Sequence, residues 1–149
     1  MMDFRFDDSA VNWVRFGDTS PAFFFAILNI DKENRIADVL FKLPAKEQIV
    51  LHRHHALNHT FVVQGEHRIY ETDGTLRERR HTGSYTCSPA SEVPHREGGG
   101  DIDTIVHFSI RPGNGELLYE LFDENSEVLG LITFNTLIEL EAAAALEAA

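Results

Sequence analysis

Short apolar runs separated by turn residues recur along almost the whole chain, and that rhythm leaves few folds open. Phe23 to Ile30 and Arg35 to Leu43 flank the polar turn Asp31-Lys32-Glu33-Asn34 and predict a hairpin that ends at Pro44. Ile49-Val50-Leu51 leads into a histidine-rich strand, and Thr60 to Gln64, Glu66 to Tyr70, Leu76 to His81 and Ser84 to Ser88 come after it at short intervals. Gly65 inside this pattern predicts a bulge or sharp bend, and Thr72-Asp73-Gly74-Thr75 a tight turn. Gly98-Gly99-Gly100-Asp101 reads as a flexible loop, Ile102 to Ile110 as a long strand closed by Arg111-Pro112-Gly113-Asn114-Gly115, and Glu127 to Phe134 as a last strand. Asn135 is the expected cap of a helix over about 135–147, rich in Ala, Leu and Glu and frayed at its end. Many short strands with Gly and Asx turns and one terminal helix predict an all-β chain, a sandwich or small barrel able to enclose a ligand cavity.

Composition narrows the partners. A length of 149 residues, 43% of them hydrophobic, fits one domain spanning 1–149 with a substantial core. The net charge of -11 argues against nucleic acid and against anionic membranes, which reward clustered Lys and Arg. Arg77-Glu78-Arg79-Arg80 is an isolated basic run and reads as a solvated strand face. Cys87 is the only cysteine, so no intrachain disulfide can form, which suits a reducing compartment. No apolar run approaches the roughly 20 residues of a membrane span. The start, Met1-Met2-Asp3-Phe4-Arg5-Phe6, lacks the pattern of a signal peptide, so a cytoplasmic protein is the expectation.

Histidine is the residue type that points to chemistry. In His52-Arg53-His54-His55-Ala56-Leu57-Asn58-His59, a strand would turn His52 and His54 to one face and His55 to the other. His59 comes next, and His95 stands at the end of Pro89-Ala90-Ser91-Glu92-Val93-Pro94-His95 on a later segment. Imidazole is the commonest protein ligand for zinc, copper, iron and nickel, and a metal needs three or four convergent donors. Burying several rings without a metal would require a hydrogen-bond partner for each. His67 and His81 read as ordinary surface or hydrogen-bonded residues.

These residues resemble the two-part motif of the cupins. The first part is His52, His54, His59 and Gly65; the second is Gly83-Ser84-Tyr85-Thr86-Cys87-Ser88-Pro89 and then His95. The likeness covers roughly Pro44 to Pro112, a metal-binding core of about 44–112. It implies a cupin double-stranded β-helix, a jelly-roll barrel of the small RmlC-like kind, with the C-terminal helix appended. Two departures stand out: the usual cupin carries Glu where His59 stands, and Pro89 to His95 lacks the usual Gly and is one residue longer. Pro44-Ala45 and the tail Asp123-Glu124-Asn125-Ser126-Glu127-Val128-Leu129-Gly130 look most like acetylacetone-cleaving dioxygenases, with ChrR-like sensory cupins as related small members. The dioxygenase branch binds non-haem Fe(II) through three histidines, which by position would be His52, His54 and His95 here.

The resemblance and the histidine pattern together imply a metal site. One divalent metal is expected, held by His52, His54, His95 and His59, with Fe(II) foremost and Zn, Ni or Mn open. If His59 does not ligate, it stands beside the metal or acts as general base, a role imidazole fills near neutral pH. His107, on the strand Thr104 to Ser109, and Tyr70 are further candidates for catalytic polar groups. The implied reaction is oxygen-dependent cleavage of a carbon–carbon bond in a diketone or aromatic hydroxyketone. A non-catalytic metal-binding sensor or ligand-binding module, and a redox-neutral isomerase or hydrolase, stand as alternatives. The expected partners are a small-molecule substrate and copies of the same chain in a homodimer or homotetramer, because sheet edges and the apolar stretch Val11-Asn12-Trp13-Val14 need covering.

Overall fold

A computed structural model describes residues 4–148 of the chain. The strands in chain order are β1 (Val14–Arg15), β2 (Phe24–Asp31), β3 (Ile36–Leu43), β4 (His52–His54), β5 (Leu57–Gln64), β6 (His67–Tyr70), β7 (Leu76–Arg80), β8 (Tyr85–Ser88), β9 (Arg96–Gly99), β10 (Thr104–Arg111), β11 (Leu117–Phe122) and β12 (Val128–Thr133), followed by the helix α1 (Phe134–Ala148). They form a six-stranded sheet in the order β1-β2-β3-β10-β5-β8 and two three-stranded sheets, β12-β11-β4 and β7-β6-β9. All the strand pairs are antiparallel. No helix among the described residues is long and apolar enough to cross a membrane.

Alternation along the strands decides the layering. Val39 of β3 and Val106, Phe108 and Ile110 of β10 project from the inner face of the large sheet. They meet Leu118 and Tyr119 of β11 and Phe134 and Leu137 of α1 in one buried cluster. Burial of each such side chain is worth roughly 1.5–3 kcal/mol. On the outer face, Ala26, Leu40 and Ile105 are covered by Phe6, Val11 and Trp13. Trp13 Nε1 donates to Asp8 Oδ2 at 2.9 Å, and Lys42 Nζ donates to the same oxygen at 2.9 Å, which ties the N-terminal segment down. The apolar stretch at Val11 to Val14 thus finds part of its cover within the chain.

Three local expectations are corrected. Gly98 and Gly99 belong to β9 rather than to a flexible loop. They are glycines because main chain runs against them: a Cβ on Gly98 would lie 1.8 Å from the Glu47 carbonyl oxygen, and one on Gly99 2.9 Å from that of Pro44. Leu117–Phe122 is a strand, β11, unrecognised in the sequence pattern, and it supplies the ladder on which β4 rests. The helix begins one residue early, at Phe134, and its cap is Thr133 rather than Asn135. Thr136 N–H donates to Thr133 Oγ1 at 3.1 Å while Thr133 N–H donates to Thr136 Oγ1 at 3.0 Å, a reciprocal arrangement that satisfies two otherwise free donors.

Candidate metal centre

Two short strands bring the donors together. On β4, His52 and His54 turn inward while Arg53 between them points out, where its Nε donates to Glu120 Oε1 on β11 at 3.0 Å. His95 immediately precedes β9, and Glu97, two residues on, shares its inward face. The two segments are joined by a reciprocal main-chain pair: His52 N–H to His95 O at 3.0 Å and His95 N–H to His52 O at 2.8 Å. The donor atoms of His52, His54, His95 and Glu97 all lie within 4.8 Å of one another, and all four residues are buried. Glu97 Oε2 sits 2.6 Å from His52 Nε2, 3.4 Å from His54 Nε2 and 3.5 Å from His95 Nε2. His67 Nε2, on β6, donates to the other carboxylate oxygen, Oε1, at 2.6 Å.

The hydrogen bonding fits a cation at this point. The Val50 carbonyl only accepts, so His52 Nδ1, 2.8 Å away, carries a hydrogen. The remaining lone pair on Nε2 then faces a carboxylate oxygen at 2.6 Å, a contact that only a second proton or a metal ion makes favourable. His54 Nδ1 is 2.6 Å from the Asn58 amide. With that amide turned so that its oxygen, otherwise unpartnered among the described residues, accepts from Nδ1–H, Nε2 of His54 likewise becomes a bare lone pair aimed at the centre. Burial lowers the pKa of His54 to about 4, against a smaller raising effect of Glu97, and burial lowers that of His95 as well. Burial alone would raise the pKa of Glu97, but the surrounding imidazoles of His52, His54, His67 and His95 hold it well below the ordinary carboxylate range. An anionic carboxylate beside His54 and His95, whose burial favours neutral rings, has the charge pattern of a ligand set, and a buried negative charge calls for a cation. Three imidazoles and one carboxylate suit zinc, iron, nickel or manganese.

Two cavities adjoin the cluster. One of about 40 Å³ is walled by Phe16, Phe23, Phe41 and Leu121 and reaches His52 and Tyr119. Burial and the negative charge of Glu97 keep the Tyr119 hydroxyl well above its usual pKa, so it stays a neutral donor, and it is buried without a partner among the described residues. The other cavity, about 80 Å³, reaches His54 and His95 and contains Thr60, Arg77 and Arg80.

His52, His54 and His95 are thus brought together, and His59, His107 and Tyr70 are not. The even-numbered residues stay inward across the bend at Ala56, so Asn58, not His59, stands beside His54. His59 lies on the opposite face of β5 from the buried Asn58 and Thr60, bonded through Nδ1 to Tyr85 and with Nε2 3.6 Å from Cys87 Sγ. His107 faces away from Phe108 and the interior, with Nε2 3.3 Å from Asp38 Oδ1. Tyr70 lies past a bulge in β6, against Arg68, and lines neither cavity. His55 and His81 are exposed, as the sequence reading has them, whereas His67 is fully buried and holds the carboxylate. Glu97 is the candidate ligand the sequence reading misses. The signal was present as His95-Arg96-Glu97, the same alternation as His52-Arg53-His54. A carboxylate therefore does enter the centre, from position 97 rather than from position 59.

No family model matches the chain, and no curated protein does. Solved structures do resemble it. An RmlC-like cupin protein from Ralstonia eutropha JMP134 superposes with a TM-score of 0.70 at 20% identity, over 97% of this chain and 89% of that one. An acetylacetone dioxygenase from Acinetobacter johnsonii gives a TM-score of 0.67 at 14% identity, over 96% and 93%. The DMSP lyase DddQ from Ruegeria pomeroyi DSS-3 gives 0.58 at 20% identity, over 79% of this chain and 64% of that one. At these identities the likeness establishes the fold, and the chain has the cupin fold.

Proposed function

We propose that the chain is a metal-dependent dioxygenase that cleaves a carbon–carbon bond of a small dicarbonyl compound. The observation that carries this reading is the buried set of His52, His54, His95 and Glu97 beside an aromatic-walled cavity. A divalent metal held by these four residues, Fe(II) for this reaction, would supply Lewis acidity toward an enolate and access to dioxygen chemistry. The likeness in fold to an acetylacetone dioxygenase supports the choice of substrate class.

The chain's own residues define the rest. Phe16, Phe23, Phe41 and Leu121 exclude water from one side of the cluster and receive an apolar arm of the substrate. Tyr119 offers its hydroxyl hydrogen to a substrate oxygen that reaches this cavity, which would give that buried group the partner it lacks. Glu97, kept anionic by His67 through Oε1 and Nε2, would hold the metal ion rather than take a proton. The likeness in fold to a lyase supports a second reading, a redox-neutral reaction.

Anaerobic reconstitution with Fe(II), followed by oxygen uptake on a panel of 1,3-dicarbonyls, tests the proposal. Stoichiometric oxygen consumption with cleaved products is expected. Turnover without oxygen would transfer the site to the second reading, and full iron occupancy with no turnover would leave a metal-binding module.

A further inference from the structure

The two cavities beside the metal cluster share two walls, Glu97 and Phe108, but differ in chemistry. The smaller is aromatic and aliphatic apart from the cluster residues and Tyr119. The larger holds two arginines, Arg77 and Arg80, with Thr60, Ser88 and Ser91. A ligand seated at the cluster therefore meets an apolar chamber at one end and a cationic one at the other.

The arginines belong to the strand β7, where Arg80 stands directly across from the fully buried His67 and so projects toward the same inner face. Arg80 is paired with Glu78. Among the described residues Arg77 pairs with Glu71 alone, at 3.9 Å, with both side chains more than two-fifths exposed, and such a pair is weak. Arg77 lines this cavity together with His54 and His95. Thr60 is buried in the same chamber, and its hydroxyl has no hydrogen-bond partner among the described residues. Hydroxyl and guanidinium donors without adequate acceptors, side by side in a cavity, are the complement of a carboxylate. Arg77, Glu78 and Arg79 are exposed, as a solvated strand face requires, and Arg77 and Arg80 also line the cavity.

We infer that the ligand taken up at the cluster is a small dicarbonyl acid, its carboxylate received by Arg77 and Arg80 with Thr60 Oγ1 as a further donor, and its other end a short alkyl group in the aromatic chamber. At about 40 Å³ that chamber has room for a methyl or ethyl group and not for a ring. The choice of a dicarbonyl rests on the proposed dioxygenase reading; the recognition of the carboxylate does not.

Acetylpyruvate and acetylacetone form a matched pair of probes, because a carboxylate in one replaces a methyl in the other. Titration of the Co(II)-loaded protein, followed by the metal's visible absorption, is expected to show acetylpyruvate binding at least about tenfold tighter. The excess should shrink as salt rises, and it should vanish in the double variant R77Q/R80Q while the acetylacetone affinity and the metal content stay the same. Equal binding of the two probes by the unaltered protein overturns the inference, and that comparison needs no variant. So does an undiminished preference in R77Q/R80Q, since the metal alone would then hold the carboxylate. Oxygen uptake by the Fe(II) form separates the two levels. Arginine-dependent preference without oxygen consumption upholds the carboxylate site and removes the dioxygenase reading. Oxygen consumption on acetylacetone without any preference does the reverse.

Discussion

His67 Nε2 lies 2.6 Å from Glu97 Oε1, on the side of the carboxylate away from His52, so one fully buried imidazole aims the only anionic group of the cluster. A partner of this kind fixes the orientation of a carboxylate ligand and keeps it anionic. His67→Leu is expected to weaken metal binding about 10- to 100-fold with all four donors still present. His67→Gln, which can still donate, should recover part of the loss. Competition against a coloured chelator measures both.

Glu97→Gln keeps the shape and removes the charge. Metal affinity should fall by at least about 100-fold, because a neutral amide oxygen is a far poorer ligand for a divalent ion than a carboxylate. The metal-free protein should be no less stable than the parent, since a buried charge is gone and the new amide can donate to His52 Nε2. Metal titration and thermal unfolding of the stripped protein give the two readouts.

Acid should destabilise the metal-free protein early. His54 titrates near pH 4 when folded because burial disfavours its charged form, against about 6.5 when unfolded. Between those values the unfolded chain binds the extra proton, so stability is full above about pH 6.5 and falls as pH drops toward 4, by about 3 kcal/mol from this ring. Denaturant midpoints across that interval check it, and His54→Asn should flatten the slope.

His59→Ala should leave the metal content unchanged and alter stability by no more than about 1 kcal/mol, since it removes a contact with Tyr85 on the outer face of β5. A drop in metal stoichiometry would show that His59 reaches the centre after all. His54→Ala is the contrasting control, expected to lose the ion.

Gly98→Ala puts a methyl group where the Glu47 carbonyl oxygen stands, and main chain on either side must separate. A loss of about 3 kcal/mol or more is expected, together with weaker metal binding as His95 and Glu97 are displaced. Unfolding and metal titration on the same samples test both parts.

Much of this centre was legible as alternation. His52 and His54 share a face because a strand has period two, and the hairpin of β2 and β3 arises from its apolar runs and Asx turn. The residues that escaped a reading of the sequence lie where a motif or a composition outweighs that period, or where the period is absent. The motif resemblance drew His59 into the ligand set, although alternation from His52 and His54 sets Asn58, and not His59, on their face. Glu97 hid because the glycines after it signal flexibility by composition, whereas here they mark close contact with the chain at Pro44 and Glu47. β11 was missed because Leu117-Leu118-Tyr119-Glu120-Leu121-Phe122 has no regular alternation; both of its edges are paired, by β4 and β12. The place of Arg77 and Arg80 on a cavity wall depends on tertiary packing that a charge pattern does not carry.

The paired amide bonds between His52 and His95 clip β4 to the start of β9 without help from any side chain. The spacing of the imidazoles is therefore set by the scaffold rather than by whatever ion arrives. Removal of the ion should cost the protein its cargo and little of its architecture, so that exchange among competing cations can proceed on an already assembled cradle.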